Sequence, residues 1–552
     1  MTESPPNTGD PNVGDQDAPE PHAPEPGVAP PQGVAAGSSS SGYSGGPAGA
    51  AQLGARAPVG LVEPPAPGEP SGGSSGSADR RRSTLWPRPG APAGPAVLRT
   101  AGLAGLAGAA LISFDGFGVG WPLLGLVLIV LTLPVVGRRP APISVLWAVL
   151  AVALLVVGAL HDAGWLATLG LLGASLTGSL AVAGGRSVLD VLRGAVAVPC
   201  LSVAGQAWAW RGLRDQRGQG WRLAGAAVAS LAVLAVFTPL LAGADAAFAR
   251  LLPDIDVATV ARWMTLFVLF SAGMIGACYL LSSTARPEPA TRRRSGRLRR
   301  LEWGLPVSLL VALFAVFVVA SLRTLFGGDA YVLRTTGITY AQYARSGFWQ
   351  LLGVTLLTLV VLAAAARWAA LESAADRAWL RGLLGALALL TLVIVGSALG
   401  RMWAYQQAYG FTVLRLLVTA AELWLGVLYV AILVAGRRLR APWLPRAVVA
   451  SAATTLVALG ALNPEGFVAA HNVARFAATG KIDIGYLSGL SADAVPALLT
   501  LPEPQRRCAT AYLRYRLDSD PITDWRAWNP SRARADLLLR ATPARTEQTC
   551  PG

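Results

Sequence analysis

One carboxylate interrupts an apolar run. Glu422 lies inside LLVTAAELWLGVLYV, residues 416–430, where nothing else is charged. In hydrocarbon an unpaired carboxylate is expensive, so it needs either a partner or a proton. Arg415 sits seven residues earlier, on nearly the same helix face and about 10 Å away along the axis. Arg401 approaches from the preceding apolar run. Two roles fit this trio: a structural polar clamp, including a neutral glutamic acid, or a relay for a proton or cation.

A second constellation surrounds TYAQYARSGFWQLLGV, residues 339–354, which sets aromatic rings and an arginine into a chain otherwise rich in Leu, Ala and Val. Tyr340, Tyr343, Phe348 and Trp349 suit a membrane interface, because each ring has an apolar body and Tyr and Trp carry a polar edge. The alternative is a cationic and phenolic vestibule for an anionic ligand. It would be built by Arg334, Tyr343 and Arg345 with Arg401, Tyr405 and Tyr409 from the next polar stretch.

No catalytic constellation is readable, and no catalytic residue is assigned. GYSGG at 42–46 and GGSSG at 72–76 fit a serine-elbow pattern but lack the strand and helix that such an elbow requires. Gly480 and Lys481 lack the upstream glycine of a phosphate-binding loop, since residue 475 is Arg475. His22, His161 and His471 are far apart in sequence, so zinc-ligand spacings are missing and neither metal nor cofactor is expected. His161 and Asp162 read as a hydrated loop pair.

These residues need elements to hold them, and the composition says which. At 552 residues with 53% apolar and 14% charged side chains, and a mean hydropathy of +0.48, the chain belongs in a bilayer. Its net charge of +15 comes from 46 basic residues, of which only Lys481 is a lysine. Nucleic acid is not the expected partner, because the arginines form short runs between apolar stretches, the distribution that sets membrane topology.

Taking about 20 apolar residues per crossing, the sequence predicts about 11 spans: 97–113, 119–136, 143–160, 164–184, 222–243, 258–282, 303–322, 347–367, 382–400, 412–436 and 445–463. The fold class expected is an all-α multi-pass bundle. Residues 1–96 are rich in Pro, Gly, Ser and Ala and end near Arg80, Arg81 and Arg82, which predicts a disordered cytoplasmic tail. It has no apolar stretch near Met1, so no cleaved signal peptide is expected. Arginines then mark every second junction: Arg138 and Arg139, Arg186 to Arg222, TRRRSGRLRR at 291–300, Arg367 to Arg381, and Arg437 to Arg446. The opposite junctions, such as FDGFGVG and HDAGW, are poor in Arg. LDVLRGAVAVPCLSVAGQAWAW, 189–210, is apolar enough to cross, yet crossing would strand four following arginines outside. It is expected in the cytoplasmic interface, amphipathic or partly re-entrant. Gly102, Gly105, Gly108, Gly273 and Gly276 are expected to permit close helix packing.

TYAQYARSGFWQLL, with ADAAFARLL at 244–252, RMWAYQQAYGFTVLR at 401–415 and IGYLSGLSADAVPAL at 484–498, resembles the signatures of a family of bacterial polytopic membrane proteins catalogued only as a domain of unknown function. The resemblance runs from about residue 98 to about 500. It implies an integral membrane fold and supplies no activity, so no site residue is carried over from it.

Beyond Asn463 the chain turns polar. Asn463 and Pro464 start a helix that Gly480 stops, 502–517 makes another, and Asn529 with Pro530 opens a third. The expected organisation is therefore a tail, 1–96, a bundle, 97–463, and a small extracytoplasmic helical domain, 464–552. Cys508 and Cys550 share that domain, in an oxidising place, and are the disulfide candidate. The leading functional expectation is a non-enzymatic plasma-membrane protein with a regulatory or assembly role in the envelope, partnered by the lipid bilayer and by envelope or membrane proteins. The alternative is a secondary transporter with Glu422 as its intramembrane relay; a membrane-embedded transferase ranks third.

Overall fold

The computed structural model describes residues 89–542 apart from 137–139, 186–187, 216–218, 246–247, 249–256, 284–297, 327–347 and 440. Apolar run length decides its architecture, because in a long apolar segment only a helix satisfies every backbone group internally. Helices lie under each of the predicted spans: α1 Pro95–Leu111, α2 Gly120–Val136, α3 Pro142–Leu160 and α4 Gly164–Ala183. Three short helices follow, α5 Val188–Ala195, α6 Ala197–Ala204 and α7 Gln206–Asp215, then α8 Gln219–Ala244 and α9 Val257–Ser282. The series continues with α10 Arg300–Phe326, α11 Phe348–Trp368, α12 Ala374–Tyr409, α13 Val413–Gly436 and α14 Leu444–Ala461. Among the described residues, eight helices are long and apolar enough to cross a membrane, and α1 and α2 are shorter apolar helices. The fold is an all-α bundle.

Among the described residues, three packed groups account for much of the bundle. In the first, α1 lies against α9 and α2, around Ala101, Ala104, Met274 and Cys278. Gly105 lets the first pair approach, since a Cβ there would meet the Phe267 ring and carbonyl at 2.7 Å. Gly108 and Gly276 also face close neighbours, whereas nothing lies within 4 Å of a Cβ at Gly102 or Gly273. The second group joins α3, α4 and α14 through Trp147, Leu154, Leu180 and Ala453. The third joins α10, α11, α12 and α13 around Phe314, Leu362, Leu387, Ile394 and Tyr429.

Segment 189–210 does not form one crossing helix. It is divided among α5, α6 and α7, each of ten residues or fewer, and α6 packs on α9. Trp208 is buried, donates through Nε1 to the Ala91 carbonyl at 2.8 Å, and meets Tyr279 edge-on at 5.5 Å.

The C-terminal helices are α15 Pro464–Thr479, α16 Ile484–Ser488, α17 Val495–Leu498, α18 Gln505–Ser519 and α19 Pro530–Ala541. Asn463 caps α15 by accepting from the Gly466 amide, and Gly480 ends it in the left-handed conformation at φ 68°. Asn529 caps α19 through the Arg532 amide. Their shared core contains Val468, Leu487, Val495, Leu498, Leu513 and Leu539, and it reaches into the bundle at Phe411, Leu416 and Leu459. Cys508 is disulfide-bonded; its expected partner, Cys550, lies outside the described residues, as does the tail through residue 88.

Candidate functional site

Two buried polar centres emerge. The first is Glu422, which α13 presents at 1% exposure with neither carboxylate oxygen hydrogen-bonded. α12 and α13 run antiparallel through the turn at 410–412. Gln406 Nε2 donates to Thr419 Oγ1 at 3.1 Å, and Val395 is the neighbour of Gly426. One side of Glu422 therefore carries Thr419 and Gln406. Toward the other end of the bundle lie Leu425, Leu428 and Tyr429, all buried. The Tyr429 hydroxyl donates to the Thr355 carbonyl at 2.6 Å, with the side chains of Thr358 and Thr391 beside it.

Arg415 does not serve Glu422. Its guanidinium donates to the carbonyls of Tyr409, at 3.3 Å, and Gly410, and to the Tyr405 hydroxyl at 3.2 Å. It also lies over the Tyr405 ring at 4.3 Å. The physical reason is the end of α12: its last carbonyls lack intrahelical donors, and a cation satisfies them. Arg401 is 7% exposed, and neither oxygen of Glu422 accepts a hydrogen bond from it. Of the vestibule residues, Tyr405 and Tyr409 have ring centroids 5.0 Å apart with their planes tilted by 53°, and Tyr409 is exposed. Arg334, Tyr343 and Arg345 lie outside the described residues.

The second centre is one that sequence reading passed over. Asp493, 3% exposed, accepts from Ser531 Oγ at 2.7 Å, and from Ser491 Oγ and the Asp162 amide at 2.9 Å each. His161 Nδ1 donates to it at 2.9 Å. Burial alone would raise this carboxyl. The hydrogen bonds from His161 and Ser531, the His161 charge and the Ser491 hydroxyl together hold it below its ordinary value of 3.8. Asp162 in turn accepts from the Ala492 amide at 3.1 Å and from Arg516. Glu465, 6% exposed, accepts from Trp165 Nε1 at 2.9 Å and from the Ser491 amide. Asn529 Nδ2 reaches the His161 carbonyl at 2.8 Å.

The connection between α3 and α4 is therefore plugged into the C-terminal helices. His161 and Asp162 are members of a buried network, not a hydrated pair. The inventory of Ser, His and Asp is that of a hydrolase, but both serine hydroxyls donate to the aspartate and none to the histidine. Among the described residues no hydroxyl is hydrogen-bonded to His161, and the bonds that are made tie the ends of separate helices together, as a latch does. The signal available in sequence was the density of His, Asp, Glu and Trp in HDAGW, NPE and SAD, short polar stretches at the ends of apolar runs.

The same helices grip two more connections at this end of the bundle. Asn472 accepts from the Phe411 amide at 3.0 Å and donates to its carbonyl at 2.8 Å, and the Tyr486 hydroxyl accepts from the Val413 amide at 2.8 Å. Val119 donates to the Trp528 carbonyl at 3.1 Å, fixing the connection between α1 and α2. Among the described residues no three His, Cys, Asp or Glu side chains are grouped to hold a metal ion.

Residues 149–501 match the family described as domain of unknown function DUF4153. The chain belongs to this family. The matched range takes in most of α3, all of α4 to α17, and both polar centres except for the residues contributed by α18, α19 and the segment between them. No curated protein matches the chain. No solved structure matches it.

Proposed function

We propose that this member of the family is a multi-pass plasma-membrane protein that carries a proton or cation through the bundle, with Glu422 as the group that binds and releases it. The supporting observation is that Glu422 is 1% exposed and both its oxygens lack a partner. A structural clamp needs something to hold. Arg415, the nearest candidate in sequence, is committed to the end of α12. A carboxylate in this setting either takes a proton or coordinates a charge, and intramembrane groups of that kind mark ion pathways.

In the same proposal the arginines at the α13 to α14 junction face the cytoplasm, and the C-terminal helices lie outside. The test is flux in sealed liposomes. Glu422→Gln keeps the shape of the side chain but cannot titrate, so it should abolish proton- or cation-coupled flux while the protein still folds. Wild-type flux in that variant, or no flux of protons or monovalent cations in the wild type, would overturn the relay.

A second reading, a regulatory or assembly role in the envelope, is favoured by the way the C-terminal helices grip three connections at one end of the bundle while Tyr512 and Tyr515 remain exposed on α18. Loss of a co-purifying membrane or envelope protein on changing both tyrosines to Ser, with flux intact, would favour that role.

A further inference from the structure

The turn at 525–528, WRAW, has a place in the fold that its composition explains. It is a single turn of 3-10 helix, Trp525–Ala527, and its backbone is fastened to the bundle. The Trp528 carbonyl accepts from Val119, and Arg526 reaches the Ala110 carbonyl at 3.5 Å. Ala527 is 1% exposed. Its carbonyl lies so close to Gly118 that any side chain at 118 would meet the Ala527 backbone. Asp524 secures the turn from within, because Arg526 donates to it at 2.7 Å; that bond, opposed by burial, holds the Asp524 carboxyl at about 2.

While the backbone is locked down, the indoles are not. Trp525 is 59% exposed and Trp528 47%, and Phe114, in the α1 to α2 connection to which the turn is bonded, is 56% exposed. The depth of this patch follows from helix length. α1 and α2 have 17 residues each, about 25 Å at 1.5 Å per residue, against a hydrocarbon core of about 30 Å. Helices this short bring their connecting loop to the edge of the hydrocarbon rather than into bulk water. Whatever is bonded to that loop sits at headgroup depth, where indole rings are stabilised by an apolar body and a polar N–H.

We propose that Trp525 and Trp528 form a lipid anchor, a pair of indoles seated in the headgroup layer of the leaflet at the α1 to α2 connection, which holds the C-terminal helices flat against the bilayer. The partner is the phospholipid interface. α1 and α2 themselves expose Leu103, Leu106, Leu123 and Leu126, and this assignment does not depend on the Glu422 relay.

The test uses the full chain in liposomes. With Cys200 and Cys278, the free cysteines among the described residues, changed to Ser, a spin label is placed in turn at Trp525→Cys, Trp528→Cys, Phe114→Cys and, as a water reference, Asp520→Cys. The ratio of oxygen collision to collision with a soluble nickel chelate should be higher at each of the first three sites than at 520. A ratio at either 525 or 528 equal to that at 520 would overturn the anchor. Should the labelled variants misfold, Trp525→Phe with Trp528→Phe offers a second route: brominated phosphatidylcholine should quench a smaller part of the indole emission than in the wild type. An unchanged quenchable part would overturn the proposal equally.

Discussion

Asp493 and Glu422 are both carboxylates sealed inside the same chain, at 3% and 1% exposure, and their surroundings are opposite. Asp493 receives four donors from three separate parts of the sequence. Glu422 receives none. Burial by itself thus says little about what a charged residue does. A carboxylate whose lone pairs are all used holds elements together; one with none used adds nothing to folding by hydrogen bonding, and its role lies elsewhere.

The contrast breaks most visibly at Asp493. Asp493→Ala would strand two hydroxyls, an amide and an imidazole, and removing one partner of a buried charged network costs about 3–5 kcal/mol. Unfolding of the detergent-solubilised protein should show this, together with early proteolysis of the C-terminal helices. Wild-type stability in that variant would dissolve the comparison.

Acid should reach the same centre reversibly. Asp493 and Asp524 both titrate below their ordinary value of 3.8 in the folded chain. The stability they contribute is therefore complete above that value and is lost as pH falls through the lower folded values. Protease protection of the C-terminal helices should be flat from about pH 7 to about 5 and decline only below about 4. A decline centred near neutrality would place control in another group.

A smaller effect is expected from Trp165→Phe, which leaves one oxygen of Glu465 without its indole donor. An unsatisfied buried acceptor costs about 1–3 kcal/mol, read as a lowered unfolding midpoint. The smallest change belongs to Glu422→Gln, which removes no hydrogen bond that the fold makes. Its stability should stay within about 1 kcal/mol of the wild type. A loss as large as that of Asp493→Ala would mean that Glu422 holds a structural partner after all.

Much of the frame was legible in the residues. The caps Asn463 and Asn529, and the stop at Gly480, are local devices whose partners lie within a few positions, and the helices begin and end where those residues stand. The short helices α16 and α17 were not legible, because each is five residues or fewer and carries no period to detect. For the candidate site, Glu422 was conspicuous as a lone charge in an apolar run. The centre around Asp493 was passed over, since its members are ordinary loop residues taken one at a time and only their density at the ends of apolar runs marks them.

By itself the sequence determined that this chain is a helical membrane bundle, because hydrophobic run length and helix capping act over one to twenty residues and need no knowledge of neighbours. Tertiary structure alone decided which polar groups meet. His161 finds Asp493 across 332 positions, Asp162 finds Arg516 across 354, and Arg415 turns to the end of α12 five residues away instead of to Glu422. Such partnerships depend on which helix ends share one end of the bundle. That is set by packing and connection order, for which periodicity and composition carry no signal.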